Sequence, residues 1–327
     1  MTITKLSYFK SIRPFSTSLS AMTDAKLLKK RVNFNTESGK SIVLDAVYEE
    51  SLPTGTSIGT VVAFHGSPGS HKDFKYIRDK LNQRSISFIG VNYPGYSITD
   101  GYEGQLNVNP ERENFTNALL DELNIQGKLI IMGHSRGCDN ALMTATNRPI
   151  DGLVMINPIG LRIHKGIRPV SKLRRIEWIY DNLPKVLGDA MMYRMYKRIG
   201  LKAASGEEAI NAMKTVLEGA FERLIPFIEK LGKQDTKTFV ICGGKDFLIE
   251  KEINYETLKK YEWLQFFDFV SDISPDETTK ILKTFENGRG ATVFVEKDTH
   301  FQNKLRAELV ADVVKKIVET TGNMSKL

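Results

Sequence analysis

The chain has 327 residues, of which 41% are hydrophobic and 26% charged, a balance that supports a packed core and suits one large domain with an insertion, or two domains. No run reaches the ~18 consecutive apolar residues that a membrane-spanning helix needs, and two cysteines, Cys138 and Cys242, exclude a disulfide framework or a cysteine-based metal cluster and read as small buried hydrophobes in a reducing compartment. The net charge of +7 comes without a helix-turn-helix, zinc-finger or RNP pattern, which argues against a nucleic-acid partner.

Residues 1–22, MTITKLSYFKSIRPFSTSLSAM, carry Lys5, Lys10, Arg13 and five serines with no acid, the composition of a mitochondrial presequence or of a disordered tail. A targeting or disordered segment is therefore expected over 1–25. Strand-like runs follow at SIVLDAVYEE (41–50), GTVVAFHG (59–66), SISFIGVNYPG (85–95), KLIIMGHS (128–135), GLVMINP (152–158), KTFVICGG (237–244) and ATVFVEK (291–297). Several are continuous β-branched runs, as strands buried on both faces of a parallel sheet require. HKDFKYIRDKLNQR, ENFTNALLDELN, RGCDNALMTATNR and FQNKLRAELVADVVKKIVETT show helical apolar spacing. Alternating strands and helices give an α/β fold with a mainly parallel sheet and helices on both faces.

Residues 161–235 break this rhythm with helices only, including SKLRRIEWIYDNL and DAMMYRMYKRI. They are expected to form a helical cap over the strand ends, where ligands of such sheets bind; an elaborate crossover connection is the plainer alternative. The core is then 26–160 with 236–322. Gly322 is a natural stop for the last helix. It leaves a tail, 323–327, that ends in Ser325-Lys326-Leu327, the form of a peroxisomal import address read by a receptor. Peroxisome is the preferred location, with the mitochondrial matrix or dual targeting as alternatives.

The segment KLIIMGHSRGCDNAL places GHSRG (133–137) between a strand and a helix. A tight strand-to-helix turn of the form G-x-S-x-G lifts its serine above the sheet, and glycines at 133 and 137 relieve the crowding of strand against helix. Ser135 then sits at a helix N-terminus, where negative charge is favoured. With this turn the chain resembles the α/β-hydrolase superfamily. The HGSPGS, NYPG, GHSRGC and INPIGLR segments are also similar to an uncharacterised family of lid-bearing hydrolases.

That resemblance implies the order nucleophile, acid, base. Only His164 and His300 follow Ser135, and His300 stands after the last strand, where the superfamily carries its base. Asp246, in GGKD after the penultimate strand, matches the acid; Asp298 is the weaker candidate, and the long gap from Asp246 to His300 implies an extra helix. AFHGSPGS (63–70) resembles the oxyanion loop, so the backbone N–H groups of Ser67 and Arg136 are expected to face the developing negative charge.

A serine nucleophile points to acyl transfer through a covalent acyl-enzyme, with an ester or thioester of a lipid-like acyl group as substrate. An acyltransferase, or a catalytically silent binding or scaffold protein on the same fold, is the alternative. From 162 to 198 the cap carries ten Lys/Arg against three acids, interleaved with Trp178, Tyr180, Met192 and Met195 as candidate substrate-binding residues. This suits a small-molecule acyl substrate of anionic character, or peripheral contact with an anionic membrane. No cofactor or metal is called for, since no H-x-x-H spacing and no Gly-rich nucleotide loop is present.

Overall fold

A computed structural model describes residues 25–322; the presequence reading over 1–22 and the terminal tripeptide lie outside the described residues. Nine strands form one sheet: β1 (Ala25–Asn35), β2 (Ser41–Ser51), β3 (Thr60–Phe64), β4 (Ser87–Val91), β5 (Leu129–His134), β6 (Gly152–Ile156), β7 (Lys237–Gly243), β8 (Gln265–Phe269) and β9 (Gly290–Val295). Their order is β1-β2-β4-β3-β5-β6-β7-β9-β8, antiparallel through β1, β2 and β4 and parallel from there on.

The central strands are apolar along their whole length because both faces are covered. In β3, Val62 and Phe64 enter one core while Val61 and Ala63 enter the other, the two-residue alternation of a pleated strand. The first core receives helices α2 (Asn109–Leu123) and α3 (Gly137–Asn147). The second receives α1 (Lys75–Asn82), α9 (Pro275–Asn287) and α11 (Ala307–Thr320). The result is an α/β fold with helices on both faces of a mainly parallel sheet.

Two strands have no counterpart among the apolar runs of the sequence, and both are edges. β1 pairs with β2 in an antiparallel hairpin from Ala25↔Ser51 to Asn35↔Ser41, yet of its residues only Val32 and Phe34 are buried. β8 borrows its order from β9 and is half-exposed. An edge strand is covered on fewer sides, so its pattern is less regular: β1 is mostly polar, and the three phenylalanines of β8 do not form the continuous β-branched run of a central strand.

Between β6 and β7 lie α4 (Val170–Asp181), α5 (Lys185–Arg198), α6 (Gly206–Leu217) and α7 (Ile225–Gly232). Burial is graded. α6 hides Ile210, Ala212 and Met213, α5 hides Met192 and Tyr196, and α4 buries nothing fully. α7 differs from the other three: it packs against α3, with Ile228 and Leu231 in the core on the sheet. The segment between Asp246 and His300 holds more than one extra helix: α8 (Lys251–Lys259), then β8, then α9. The last helical run is also divided, into α10 (Gln302–Leu305) and α11, at Arg306, whose guanidinium is drawn aside to Asp298 at 2.7 and 2.8 Å. Among the described residues no helix is long and apolar enough to cross a membrane.

Candidate active site

β5 ends at His134, and Ser135 adopts a left-handed backbone with φ of 52° before α3 begins. A residue other than glycine in this region is strained and must be held by its surroundings. Here the Ser135 N–H donates to the Ile156 carbonyl at 2.9 Å, and the Ser135 carbonyl accepts from Cys138 N–H at 2.9 Å. The flanking glycines explain why the turn can close: a Cβ on Gly133 would lie 2.7 Å from Cys138 Cα, and one on Gly137 would strike the Phe64 carbonyl. Ser135 is 8% exposed and faces a cavity of about 710 Å³.

His300 lies on the wall of the same cavity. Its Nδ1 donates to Asp246 Oδ2 at 2.5 Å, which leaves Nε2 as the basic nitrogen. The His300 backbone is pinned as well, because its carbonyl accepts from Asn157 Nδ2 at 2.7 Å and from His134 Nε2 at 3.1 Å. Ser135 Oγ is not among the hydrogen-bond partners of the ring; contacts of this kind are often loose before substrate binds and tighten in the complex. Asp246 is fully buried, and its Oδ1 accepts from the N–H groups of Leu248 (2.8 Å) and Ile249 (3.0 Å). Burial alone would raise this carboxyl, but the His300 hydrogen bond and charge, together with the two backbone donors, outweigh it and hold the carboxyl below its ordinary value. Asp298 makes no hydrogen bond to the His300 ring; it binds Arg306 and, at 3.0 Å, Gln302. Asn157, which follows β6, ties together the β7 and β9 loops through Gly243 N–H and the His300 carbonyl.

The HGSPGS loop reaches Ser135 from β3: a Cβ on Gly66 would sit 3.0 Å from Ser135 Cβ. His65 braces this loop, its Nδ1 donating to the Gly66 carbonyl at 2.7 Å and its Nε2 accepting from Tyr93 N–H at 3.2 Å. Burial first, and the nearby Arg112 charge second, push the His65 ring down to about 3, so it stays neutral. Neither the Ser67 nor the Arg136 N–H is engaged in a loop or cap hydrogen bond among the described residues. The side chains of these two residues also act in ways the sequence did not signal: both reach α6. Ser67 Oγ donates to the Ala212 carbonyl at 3.3 Å. The fully buried Arg136 donates to the carbonyls of Thr215 (2.9 Å) and Glu218 (3.4 Å) and to Asp139 at 3.0 Å. Burial pulls the Arg136 guanidinium down to about 10, still far above neutrality, so it remains a cation at the C-terminus of α6, where the helix dipole favours one.

A narrower pocket of about 100 Å³ shares Ser67, Ser135 and His300 with the main cavity and is walled in part by residues of α4, α5 and α6. Its walls include Ile159, Ile167, Leu173, Met213 and Val216, while the main cavity is lined also by Lys72, Asp73, Lys202 and Glu208. Of the four cap residues singled out in the sequence, Met195 lines the narrow pocket. The other three do not line it: Met192 is fully buried in the core cluster, Tyr180 donates to Asp189 at 2.8 Å, and Trp178 is 65% exposed. The spacing of aromatics and methionines marks a helix face, and only the packing of α5 on α6 decides which face is inward. Ile159, Met213 and Leu248 carry no local signal and come to the pocket from the loop after β6, from α6 and from the loop after β7. Among the described residues no group of three or more His, Cys, Asp or Glu is placed to hold a metal ion.

The sequence matches, over residues 24–319, the model of a family described as "Alpha/beta hydrolase of unknown function (DUF1057)". An uncharacterized protein of Caenorhabditis elegans, F35H12.5, is 29% identical across 94% of this chain and 92% of its own length. In fold the chain is similar to a thermophilic esterase from Thermogutta terrifontis (TM-score 0.58, 15% identity, 90% of this chain and 100% of that one). It is equally similar to the haloalkane dehalogenase DbeA from Bradyrhizobium elkani (TM-score 0.58, 14% identity, 90% and 98%).

Proposed function

The chain belongs to this α/β-hydrolase family, and we propose that it is a serine hydrolase that cleaves a carboxylic ester or thioester of a lipid-like acyl group through an acyl-enzyme on Ser135. The observation that carries this reading is the buried Asp246–His300 hydrogen bond on the wall of the cavity that Ser135 faces. Nε2 of His300 takes the Ser135 proton as Oγ attacks the acyl carbon. The tetrahedral oxyanion accepts from the N–H groups of Ser67 and Arg136, each such donor being worth about 2.7–4 kcal/mol of barrier. The imidazolium, stabilised by Asp246, then protonates the leaving alcohol or thiol. Water, deprotonated by the same ring, releases the acid and restores the serine.

The two-part cavity supports an acyl substrate: a narrow apolar pocket for the chain and a wider mouth, edged by Lys72, Lys202 and Glu208, for the leaving group, both opening at Ser135. His300→Ala should lower kcat for a p-nitrophenyl ester by a factor of about 10³ or more with the fold intact. Retention of most turnover by a folded variant would show that the base is elsewhere.

A further inference from the structure

His164 lies in the loop between β6 and α4, is 3% exposed, and lines the narrow apolar pocket together with Ser135 and His300. Its Nδ1 is 2.9 Å from the Leu248 carbonyl. A carbonyl only accepts, so Nδ1 carries the proton. Burial pushes the ring down to about 4, which keeps it neutral near pH 7, and Nε2 is then a bare lone pair. That nitrogen is buried and has no hydrogen-bond partner, and it is the one such atom among the residues that line this pocket. The ring is a poorer base than His300, because its proton-bearing nitrogen is held by a neutral carbonyl and not by a carboxylate that would stabilise the imidazolium. If His164 served packing alone, an apolar side chain would fill the site without leaving a buried acceptor unpaired.

Building on the serine-hydrolase reading above, we propose that His164 determines specificity: its Nε2 accepts a hydrogen bond from a hydroxyl on the acyl group, so the preferred substrates are hydroxyacyl esters or thioesters. A plain alkyl chain leaves the lone pair buried and unmatched. A hydroxyl at the right carbon satisfies it, and an anionic substituent at that point is repelled. Sites of this kind discriminate strongly, since the wrong substrate strands a polar group.

The test uses p-nitrophenyl esters of one acyl chain, unsubstituted or with a hydroxyl on each successive carbon. The readout is the ratio of kcat/KM, hydroxylated over parent, within each enzyme, so overall changes in activity cancel. The wild type should favour one position by about 10-fold or more, as a single hydrogen bond supplies. His164→Phe should bring that ratio to about one. His164→Gln, which restores a carbonyl acceptor, should recover a preference. A wild-type ratio near one at every position, or an unchanged ratio in folded His164→Phe, overturns the role of His164 while turnover that disappears in Ser135→Ala leaves the hydrolase reading standing. Parent-ester turnover that survives Ser135→Ala overturns both.

Discussion

Asp246 and Asp73 are two carboxyls near one cavity with opposite titration behaviour. Asp246 is held below its ordinary value, so the stability it contributes is complete above the unfolded carboxyl value of about 3.9 and is lost as pH falls through its lower folded value. Asp246→Asn should keep the fold at neutral pH but lower kcat by about 10⁴, because the amide no longer fixes the tautomer or stabilises the imidazolium. Steady-state kinetics on one ester checks this. Asp73 lies close against the Gly69 backbone, and burial, with a smaller push from Glu208, raises it to about 7. Its folded form thus holds a proton that the unfolded chain has already lost, so it weakens the protein as pH rises from about 4 to 7. Asp73→Asn should therefore raise Tm relative to wild type more at pH 8 than at pH 5. Equal shifts at both values would show that the carboxyl is unperturbed.

At the scale of elements, the turn from β5 into α3 and its attachment to α6 decide where the proposed nucleophile stands. Gly137→Ala should destabilise by about 3 kcal/mol in urea unfolding, because its Cβ meets the Phe64 carbonyl and backbone cannot move aside as a side chain could. Arg136 joins that turn to the α6 C-terminus. Arg136→Met should cost about 3–5 kcal/mol by leaving Asp139 buried without its cation, and Arg136→Met with Asp139→Asn should recover part of that loss. The turn was legible in the sequence because its glycines and serine are neighbours and each obeys a local steric demand. The tie from Arg136 to α6 was not, since it spans 79 residues to Thr215 and depends on how α6 packs. The same division separates the central strands from the edges: Thr60–Phe64 is a continuous buried run, whereas Gln265–Phe269 is half-exposed and short, paired on one side to β9.

Across the whole molecule, charge is distributed unevenly over the cap. Glu177, Asp181 and Asp189 are each in an ion pair, whereas Lys172, Arg175, Arg194, Lys197 and Arg198 are exposed with no ion pair among the described residues. We propose that this excess guides an anionic acyl substrate to the cavity. Turnover of an acyl-CoA should fall more steeply with added salt than that of a neutral ester, and Arg175→Glu with Arg194→Glu and Lys197→Glu should remove the difference. The excess of cations was visible in the sequence, but not which of them remain uncompensated. Likewise His164 could be set aside as a base from its position, while its unpaired nitrogen emerged only once Leu248 was seen to hold the other. All of this depends on Ser135 being a nucleophile that His300 activates. Treatment with a fluorophosphonate probe, followed by mass spectrometry, tests that most directly: the expected result is a single adduct on Ser135, absent in Ser135→Ala and strongly slowed in His300→Ala. A folded wild-type protein that takes no label, or takes it equally well without Ser135, would contradict the account.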